Sequence, residues 1–300
     1  MLLVDWLKKQ VKRSDGLVSL YVKLKWKAHL FKDWWGTKVW KKTTEVVTPL
    51  GFKLTSGFHP AYQLMRDGTF EVEETTLIKN SLEHVDCFVD VGANLGYYTC
   101  LALKHGKRTI SFEPQPQNLR CLFQNLVANE WQDRAEVYPV ALSDKPGLLT
   151  LYGASGPSAS LIKDWAGYSS RHRQTVPVST LDNVIGGRLK GERLFVKIDV
   201  EGAEYQVLKG ASITLARDPK PIWLLEVCLD EFHPLGFNPD YEKIFNLFFE
   251  SGYQAYSVAE QSKPVTRADI DQWVSAKSCD AGTFNFVFIE SGSDLEKVIF

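Results

Sequence analysis

Residues 86–99, DCFVDVGANLGYYT, decide the fold of this 300-residue chain. The apolar run 87–91 has the composition of a buried strand, and a helical pattern starts directly after Gly92 and Gly96. Glycines at such a junction let the backbone turn sharply and let a ligand approach it closely. Free N–H groups at the start of the helix can bind an anionic group. The stretch therefore predicts a strand–turn–helix unit with a ligand at the turn.

The spacing of the glycines narrows the class of ligand. The pattern is G-x-x-x-G, whereas the dinucleotide fingerprint is G-x-G-x-x-G. Asp90 stands just before the first glycine, where a carboxylate would repel a pyrophosphate but can hold the cationic α-amino group of a methionine moiety. S-adenosylmethionine is therefore the preferred cofactor. A nicotinamide-dependent oxidoreductase and a non-catalytic nucleotide-binding scaffold remain as alternatives.

The rest of the chain alternates between strand and helix patterns. This alternation predicts an α/β fold, a seven-stranded, mostly parallel sheet with helices on both faces. A hairpin is expected at 44–58, and an antiparallel addition at 148–152 and 175–178. The other predicted strands are 87–91, 109–112, 136–140, 194–198, 221–227, 253–257 and 284–289. The predicted helices are 70–78, 95–105, 117–129, 204–216 and 241–251.

Polar residues follow the second and third predicted strands. Glu113 ends the second strand, where an acid in this architecture accepts both ribose hydroxyls. Asn118 either orients the ribose or starts the next helix. Ser143, in the segment ALSD after the third strand, is placed by topology to frame an adenine ring.

A third polar cluster, DVEGAE, follows the fourth strand at the same sheet edge. Asp199 and Glu201 are therefore predicted to lie beside the cofactor loop. Together with Glu204 their spacing is also compatible with a metal site. No histidine or further acid cluster completes a metal shell, so no metal is predicted. The acids and Gly202 are equally compatible with the start of a helix.

Five segments in this order resemble the FkbM family of methyltransferases, over residues 68–256. They are VDVGANLGYYT, ISFEPQPQNLRCLFQN, VSTLDNV, VKIDVEGAEYQVLKGA and IWLLEV. The resemblance implies a class I, Rossmann-like methyltransferase fold, S-adenosylmethionine as donor and a hydroxyl acceptor on a saccharide or natural product. It also assigns three groups of residues. Asp90, Gly92, Asn94 and Gly96 would hold the methionine end, Glu113 the ribose, and Asp199, Glu201 and Glu226 would lie beside the acceptor.

A saccharide hydroxyl is a poor acid, so methyl transfer to it calls for a general base. Asp199 is the first candidate and His233, after the fifth strand, is the second. His59 could reach over the site as part of a lid. The loop 153–173 is either an acceptor-binding lid or a solvated polar loop.

The N-terminal region differs from the rest in charge. Residues 1–53 contain twelve lysines and arginines against four acids, which leaves 23 basic and 32 acidic residues beyond them. We therefore divide the chain into a basic, Trp-rich extension, 1–65, and a methyltransferase domain, 66–300. The amphipathic stretch 17–35 of this extension predicts a helix. This helix either lies on an anionic membrane or packs on the catalytic domain or a second subunit of a homodimer.

Composition sets the remaining expectations. No signal peptide or membrane-spanning segment is visible, which predicts a cytoplasmic protein, peripheral to the inner face of a membrane if the basic helix binds lipid. The five cysteines have no CxxC spacing and indicate reduced, mostly core thiols. The acidic catalytic half lacks a basic stripe with interleaved aromatics, so a nucleic-acid partner is not expected.

Overall fold

The computed structural model describes residues 45–55, 61–153, 159–167, 172–259 and 263–300. The predicted helix 17–35, His59, and parts of the loop 153–173 lie outside the described residues. Glu45–Phe300 form one compact unit, so the described residues before 66 belong to the same unit as the domain. Within the described residues, no helix combines the length and apolarity needed to cross a membrane.

The described residues contain twelve strands and ten α-helices, numbered in chain order. The strands are β1 (Glu45–Val47), β2 (Lys53–Thr55), β3 (Cys87–Val91), β4 (Arg108–Phe112), β5 (Ala135–Tyr138), β6 (Ala141–Leu142), β7 (Gly147–Tyr152), β8 (Arg173–Ser179), β9 (Leu194–Ile198), β10 (Ile222–Glu226), β11 (Tyr253–Ser257) and β12 (Asn285–Glu290). The helices are α1 (Tyr62–Asp67), α2 (Val72–Leu82), α3 (Tyr97–Lys104), α4 (Pro116–Ala128), α5 (Leu181–Val184), α6 (Glu204–Lys209), α7 (Ser212–Leu215), α8 (Tyr241–Glu250), α9 (Arg267–Ala276) and α10 (Glu296–Ile299).

Seven strands form the central sheet in the order β11-β12-β10-β9-β3-β4-β5. β12 runs antiparallel to both of its neighbours, and the other pairings are parallel. The predicted seven-stranded, mostly parallel sheet is therefore confirmed. The strand order reverses between β3 and β9, so the loops after these two strands open a crevice at the carboxyl edge of the sheet.

The central strands are buried on both faces, which explains their continuous apolar runs. Successive side chains of a strand point to opposite faces. Val89 and Val196 belong to the core on one face. Phe88 and Phe195 stack on the other face, with ring centroids 5.3 Å apart. All five cysteines are unpaired thiols, as predicted, and three of them are buried.

A separate three-stranded sheet follows the third strand of the main sheet. β8 pairs in parallel with β6 and antiparallel with β7. The predicted antiparallel addition is therefore confirmed. Its apolar side chains, Leu151 and Val176 among them, form a small core of their own.

The predicted helix 204–216 is wrong as one element, because it breaks into α6 and α7 around Gly210. A Cβ atom on Gly210 would lie 2.2 Å from the carbonyl oxygen of Ser143. The carbonyl of Gly210 accepts a hydrogen bond from the Asp182 amide at 3.0 Å. Tertiary contacts with two neighbouring loops therefore override the helical pattern here.

The predicted hairpin at 44–58 is present as the antiparallel pair β1–β2. Two side chains attach it to the domain, those of Asn125 in α4 and of Asn129 at the C-terminal end of that helix. Asn129 accepts a hydrogen bond from the Lys53 amide and donates one to the Lys53 carbonyl, both at 2.8 Å. Asn125 accepts from the Thr55 amide at 2.7 Å. The hairpin is thus bound to the helix through its backbone.

Candidate active site

A cleft with about 640 Å³ of empty space, partly open to solvent, lies at the carboxyl edge of the central sheet. The loops after β3, β4 and β9 supply its polar lining, and the three-stranded sheet supplies an apolar wall. The predicted site residues that line it are Gly92, Asn94, Glu113, Asn118, Asp199 and Glu201. Their convergence follows from the parallel pairing of β4, β3 and β9, which brings three strand ends together.

Gly92 is where the cofactor loop meets the loop after β9. Its φ is +85°, and a Cβ atom there would lie 1.9 Å from the backbone oxygen of Asp199. Its amide and that of Ala93 donate to the carbonyl of Phe112 at 3.0 Å. Only glycine fits this contact, because any larger residue would push Asp199 and its strand away.

Glu113 is buried beneath the cofactor loop, with 5% of its surface exposed. One carboxylate oxygen accepts the Asn94 amide and the other accepts the Gln115 amide, both at 2.8 Å. Burial raises the pKa of Glu113 to about 7, although these amides and the Asn118 side chain favour the ionised form. The carboxylate is therefore held by the loop that it supports, and it titrates near neutral pH.

The wall opposite Glu113 is apolar. It is formed by Val140, Ala141, Leu142, Leu151 and Leu161. Ser143, predicted to frame the adenine ring, does not line the cleft. Its amide donates to the Ser179 carbonyl at 2.9 Å, and this pairing with the three-stranded sheet keeps it behind the wall.

Asp90 does not line the cleft, and its contact with a cofactor amino group stays a prediction. The residue is 1% exposed and accepts a hydrogen bond from Thr99 Oγ1 at 2.6 Å. It occupies the same face of β3 as Phe88, beneath α3, because strand side chains alternate. Burial raises its pKa, and the Lys197 cation opposes that rise.

Gly96 has a packing role in the structure rather than a place in the cleft lining. It precedes α3 with a φ of +86°, and a Cβ atom there would lie 2.3 Å from Leu122 Cδ1. Gly96 therefore allows α3 and α4 to approach each other, and its conformation is required by helix packing.

Asp199 lies at the mouth of the cleft and contacts a residue that the sequence analysis did not single out. Lys197 Nζ lies 2.8 Å from Asp199 Oδ2, and the two side chains are 6% and 27% exposed. Burial opposes the charged form of this lysine, yet Asp199, Glu71 and Asp90 raise its pKa above the ordinary value. A lysine inside an apolar strand was the available sequence signal, because charged residues are rarely buried without a partner.

Glu201 lines the cleft and is fixed by the segment 153–173, for which the sequence left an acceptor-binding lid and a solvated polar loop open. Trp165 Nε1 donates to Glu201 Oε2 at 2.8 Å, and Ser160 Oγ donates to the Glu201 carbonyl at 2.6 Å. A Cβ atom on Gly202 would lie 2.3 Å from the Trp165 ring. The described part of the loop 153–173 is therefore packed against the loop after β9.

Glu204 and Glu226 complete the group of acids around this loop. Glu204 accepts the Gly202 amide at 3.0 Å, and burial raises its pKa to about 8. Burial, followed by the charges of Asp199 and Glu201, raises the pKa of Glu226 well above its usual range. Among the described residues, no group of three or more acids, histidines or cysteines is arranged to hold a metal ion. Glu226 is close enough to Asp199 to feel its charge, but it does not line the cleft.

His233, the second candidate for the base, lies outside the cleft lining. Its ring is nearly perpendicular to that of Trp165, with the ring centroids 5.9 Å apart, and its Nδ1 accepts the Leu235 amide at 3.2 Å. Burial lowers its pKa. The histidine therefore contacts the group that fixes Glu201 and has a structural partner of its own.

The cleft has the chemical features of an adenosyl-binding site. A buried carboxylate can accept the two hydroxyls of a ribose, and the apolar wall matches the faces of a purine. The close approach at Gly92 provides a backbone surface without a side chain. The residues present therefore fit S-adenosylmethionine, with Glu113 and Asn118 at the ribose and Gly92 and Asn94 at the turn.

A mostly parallel α/β sheet with an antiparallel β12, and with this cleft at its switch point, defines a Rossmann-like protein of the class I methyltransferase type. The methyltransferase FkbM domain matches residues 90–255, more than half of the chain. The protein belongs to the FkbM methyltransferase family.

One relative is the hexuronic acid methyltransferase AglP of Haloferax volcanii, which is 27% identical over 153 residues. The match covers 50% of this chain and 60% of that protein.

Two solved structures illustrate the structural comparison. A methyltransferase FkbM from Methylobacillus flagellatus KT is 18% identical, with a TM-score of 0.39, over 57% of this chain and 39% of that one. An O-methyltransferase from Bacillus cereus in complex with SAH is 11% identical, with a TM-score of 0.42, over 76% and 87% of the two chains.

Proposed function

We propose that this protein transfers the methyl group of S-adenosylmethionine to a hydroxyl group of a saccharide. The observation that carries the proposal is the buried Glu113, which two backbone amides hold at the base of the cleft. Membership of a methyltransferase family supports the reaction class. The relative AglP is a hexuronic acid methyltransferase, which supports a sugar acceptor. The oxidoreductase alternative is not favoured, because the cofactor loop lacks the dinucleotide spacing.

Each residue of the cleft has its own role in the proposed reaction. Glu113 and Asn118 would hold the ribose, and Gly92 and Asn94 would surround the methionine end. S-adenosylmethionine supplies, when bound, a sulfonium-activated methyl group for in-line displacement. Asp199 would orient the acceptor hydroxyl and receive its proton, and Glu226 would lie on the acceptor side. Most of the rate enhancement would come from positioning and from exclusion of water.

The first experiment is isothermal titration of the purified protein with S-adenosylhomocysteine, with NAD in parallel. We expect micromolar binding of S-adenosylhomocysteine alone. Binding of NAD alone would overturn the proposal. Methyl glycosides of neutral and uronic sugars are then tested as acceptors with S-adenosylmethionine that carries a tritiated methyl group.

The assignment of the base is tested with Asp199→Asn. This variant should bind S-adenosylhomocysteine normally and lose on the order of 100-fold in kcat, the lower range for a general base. Asp271→Asn, an exposed aspartate on α9, is the matched control and should keep full activity. Full activity of Asp199→Asn would remove Asp199 as the base and direct attention to Glu226.

Peripheral membrane contact through the N-terminal region remains a proposal based on charge. The excess of basic residues before position 54 would attract anionic lipid. Full-length protein should sediment with vesicles that contain anionic lipid, and protein lacking residues 1–35 should not. If both stay in the supernatant, the membrane proposal fails and packing within the protein or a homodimer is favoured.

A further inference from the structure

Three polar side chains form a row across the face of the central sheet that α2 and α3 cover. Ser111, Asp90 and Lys197 occupy paired positions on β4, β3 and β9. They are 0%, 1% and 5% exposed, whereas Phe88 and Phe195 on the same face are apolar. Burial of charged groups is costly unless they are paired, so apolar packing does not account for this row.

The row is hydrogen-bonded at one end and ionic at the other. Thr99 Oγ1 donates to Asp90 at 2.6 Å and lies 2.9 Å from Ser111 Oγ. Lys197 reaches out of the sheet to Asp199 at 2.8 Å. Polar side chains therefore extend from the interior of the sheet to Asp199 at the cleft, with Asp90 and Lys197 at paired positions of β3 and β9.

A second branch connects Lys197 with the segment before α2. The ammonium group lies 5.0 Å from the centroid of the Tyr98 ring. The Tyr98 hydroxyl donates to Glu71 Oε2 at 2.6 Å. Glu71 caps α2 with a φ of +41°, an uncommon conformation for a residue other than glycine. Lys197 thus lies between carboxylates that come from different elements.

The acidic groups around the Lys197 side chain require a positive charge among them. Burial raises the pKa of Glu71 and of Glu226, and Lys197 opposes the rise in both. Asp90 from β3 and Asp199 bring two further carboxyl groups, and Tyr98 from α3 adds a phenol. Without the ammonium group, the acids would repel one another, and Glu71, Glu226 and Asp90 would retain their protons to higher pH.

We propose that Lys197 is a positioning residue, which holds the Asp199 carboxylate at the mouth of the cleft and balances the negative charge that Glu71 and Asp90 bring to the same buried point. Lys197 acts through Asp199 and is not expected to touch the acceptor. The role of Asp199 as base belongs to the proposed function, and the inference rests on it. The tests below therefore include one readout that needs no acceptor.

The first test measures the electrostatic part of the proposal in the full chain. Glutamate labelled with ¹³C at the side-chain carboxyl allows Glu71 to be titrated by NMR, with its resonance assigned by its loss in Glu71→Gln. In Lys197→Met the Glu71 carboxyl should titrate at higher pH by at least half a unit. In Lys209→Met, which removes a surface partner of Asp144, it should not move. An unchanged Glu71 titration in Lys197→Met would overturn the proposal.

The second test measures positioning, with a methyl glycoside that the wild-type protein methylates. Lys197→Met should bind S-adenosylhomocysteine with an affinity within about threefold of wild type and lose on the order of 100-fold in kcat. In its kcat–pH profile, the fall in activity on the acidic side should occur at higher pH. Lys209→Met should keep the wild-type profile. A folded Lys197→Met with wild-type kcat and pH profile would overturn the proposal. If the wild-type protein methylates no glycoside, the proposed function fails, whereas the NMR titration still decides the charge-balancing role of Lys197.

Lys197→Gln covers the case in which Lys197→Met does not fold. The substitution keeps a polar side chain at the buried position and removes the positive charge. We expect the Glu71 carboxyl to titrate at higher pH and kcat to fall, as in Lys197→Met. A folded Lys197→Gln with a wild-type Glu71 titration and a wild-type kcat would overturn the proposal, and failure of both variants to fold would indicate a purely structural lysine and overturn it as well.

Discussion

The two sides of the candidate active site are held together by different kinds of interaction. On the cofactor side, backbone amides of the loop after β3 bind Glu113, and Gly92 packs against the backbone of Asp199. On the other side, charged side chains from separate elements meet around Lys197. The backbone side depends on local geometry within a few residues. The charged side depends on tertiary convergence and on the protonation of its members, so the two sides should respond differently to substitution and to pH.

The largest effect is expected where the two sides touch, at Gly92. In Gly92→Ala the new methyl group would collide with the backbone of Asp199 and separate the two strand ends. Gly106→Ala is the matched control, because Gly106 has a similar φ of +82° and open space around it. The control should lose about 1–2 kcal/mol for its left-handed conformation. Gly92→Ala should lose about 3 kcal/mol more from overpacking.

Urea denaturation measures both losses, and titration with S-adenosylhomocysteine should show that binding is lost only in Gly92→Ala. Equal destabilisation of the two variants, with binding intact, would mean that the junction tolerates a side chain and that the two sides are less tightly connected.

The next effect concerns pH on the cofactor side. With a pKa of about 7 for Glu113, only about one carboxyl in ten is ionised one unit lower, and the ionised form accepts both ribose hydroxyls. Affinity for S-adenosylhomocysteine should therefore rise about tenfold between pH 6 and pH 8. Calorimetry at several pH values measures this change. In Glu113→Gln the affinity should be lower and independent of pH, and a dependence that persists would assign the titration to another group.

The same burial predicts a stability effect with a defined sign. The folded-state pKa of Glu113 lies above its ordinary value of 4.5, so the folded protein binds the proton more tightly than the unfolded chain. The contribution of this group to stability is therefore present at low pH and is lost as pH rises from about 4.5 to 7. Denaturation of wild-type protein and Glu113→Gln across this window should show a smaller fall in the variant.

A smaller effect is expected at Trp165, which joins the described part of the loop 153–173 to Glu201. Trp165→Phe keeps an aromatic ring on Gly202 and removes the indole donor to the carboxylate. We expect a few-fold decrease in kcat for a methyl glycoside, because Glu201 loses its fixed orientation. Trp273→Phe is the matched control, since Trp273 in α9 also donates to a carboxylate, that of Asp280, which follows the helix and does not line the cleft. An equal decrease in both variants would attribute the effect to general destabilisation.

The smallest effect on ligand binding is expected at Asn129, which contacts the hairpin and does not line the cleft. Asn129→Ala removes two hydrogen bonds to Lys53 and should lower the free energy of unfolding by about 1–2 kcal/mol. Affinity for S-adenosylhomocysteine should not change. Gln272→Ala, at an exposed position on α9, provides the baseline for a neutral substitution. Weaker ligand binding by Asn129→Ala would show that the hairpin influences the cleft.

Local sequence determined the parts of the site that short-range geometry controls. Three elements were predicted and assigned to the correct edge of the sheet. They are the unit from β3 through α3, the acid at the end of β4 and the loop after β9. Periodicity also gave the strands of the central sheet. These features follow from side-chain alternation and from backbone conformations that a few residues impose on themselves.

Tertiary structure decided which way each polar residue points. Asp90 and Gly96 belong to the cofactor motif by sequence, yet one lies beneath α3 and the other packs on α4. Lys197 and Trp165 gained their roles from partners that are near in space rather than in the motif. The amino-acid sequence determines which residues follow each strand. The direction in which a side chain points and the ion pairs that it makes depend on how neighbouring elements pack, and that packing exists only in the folded protein.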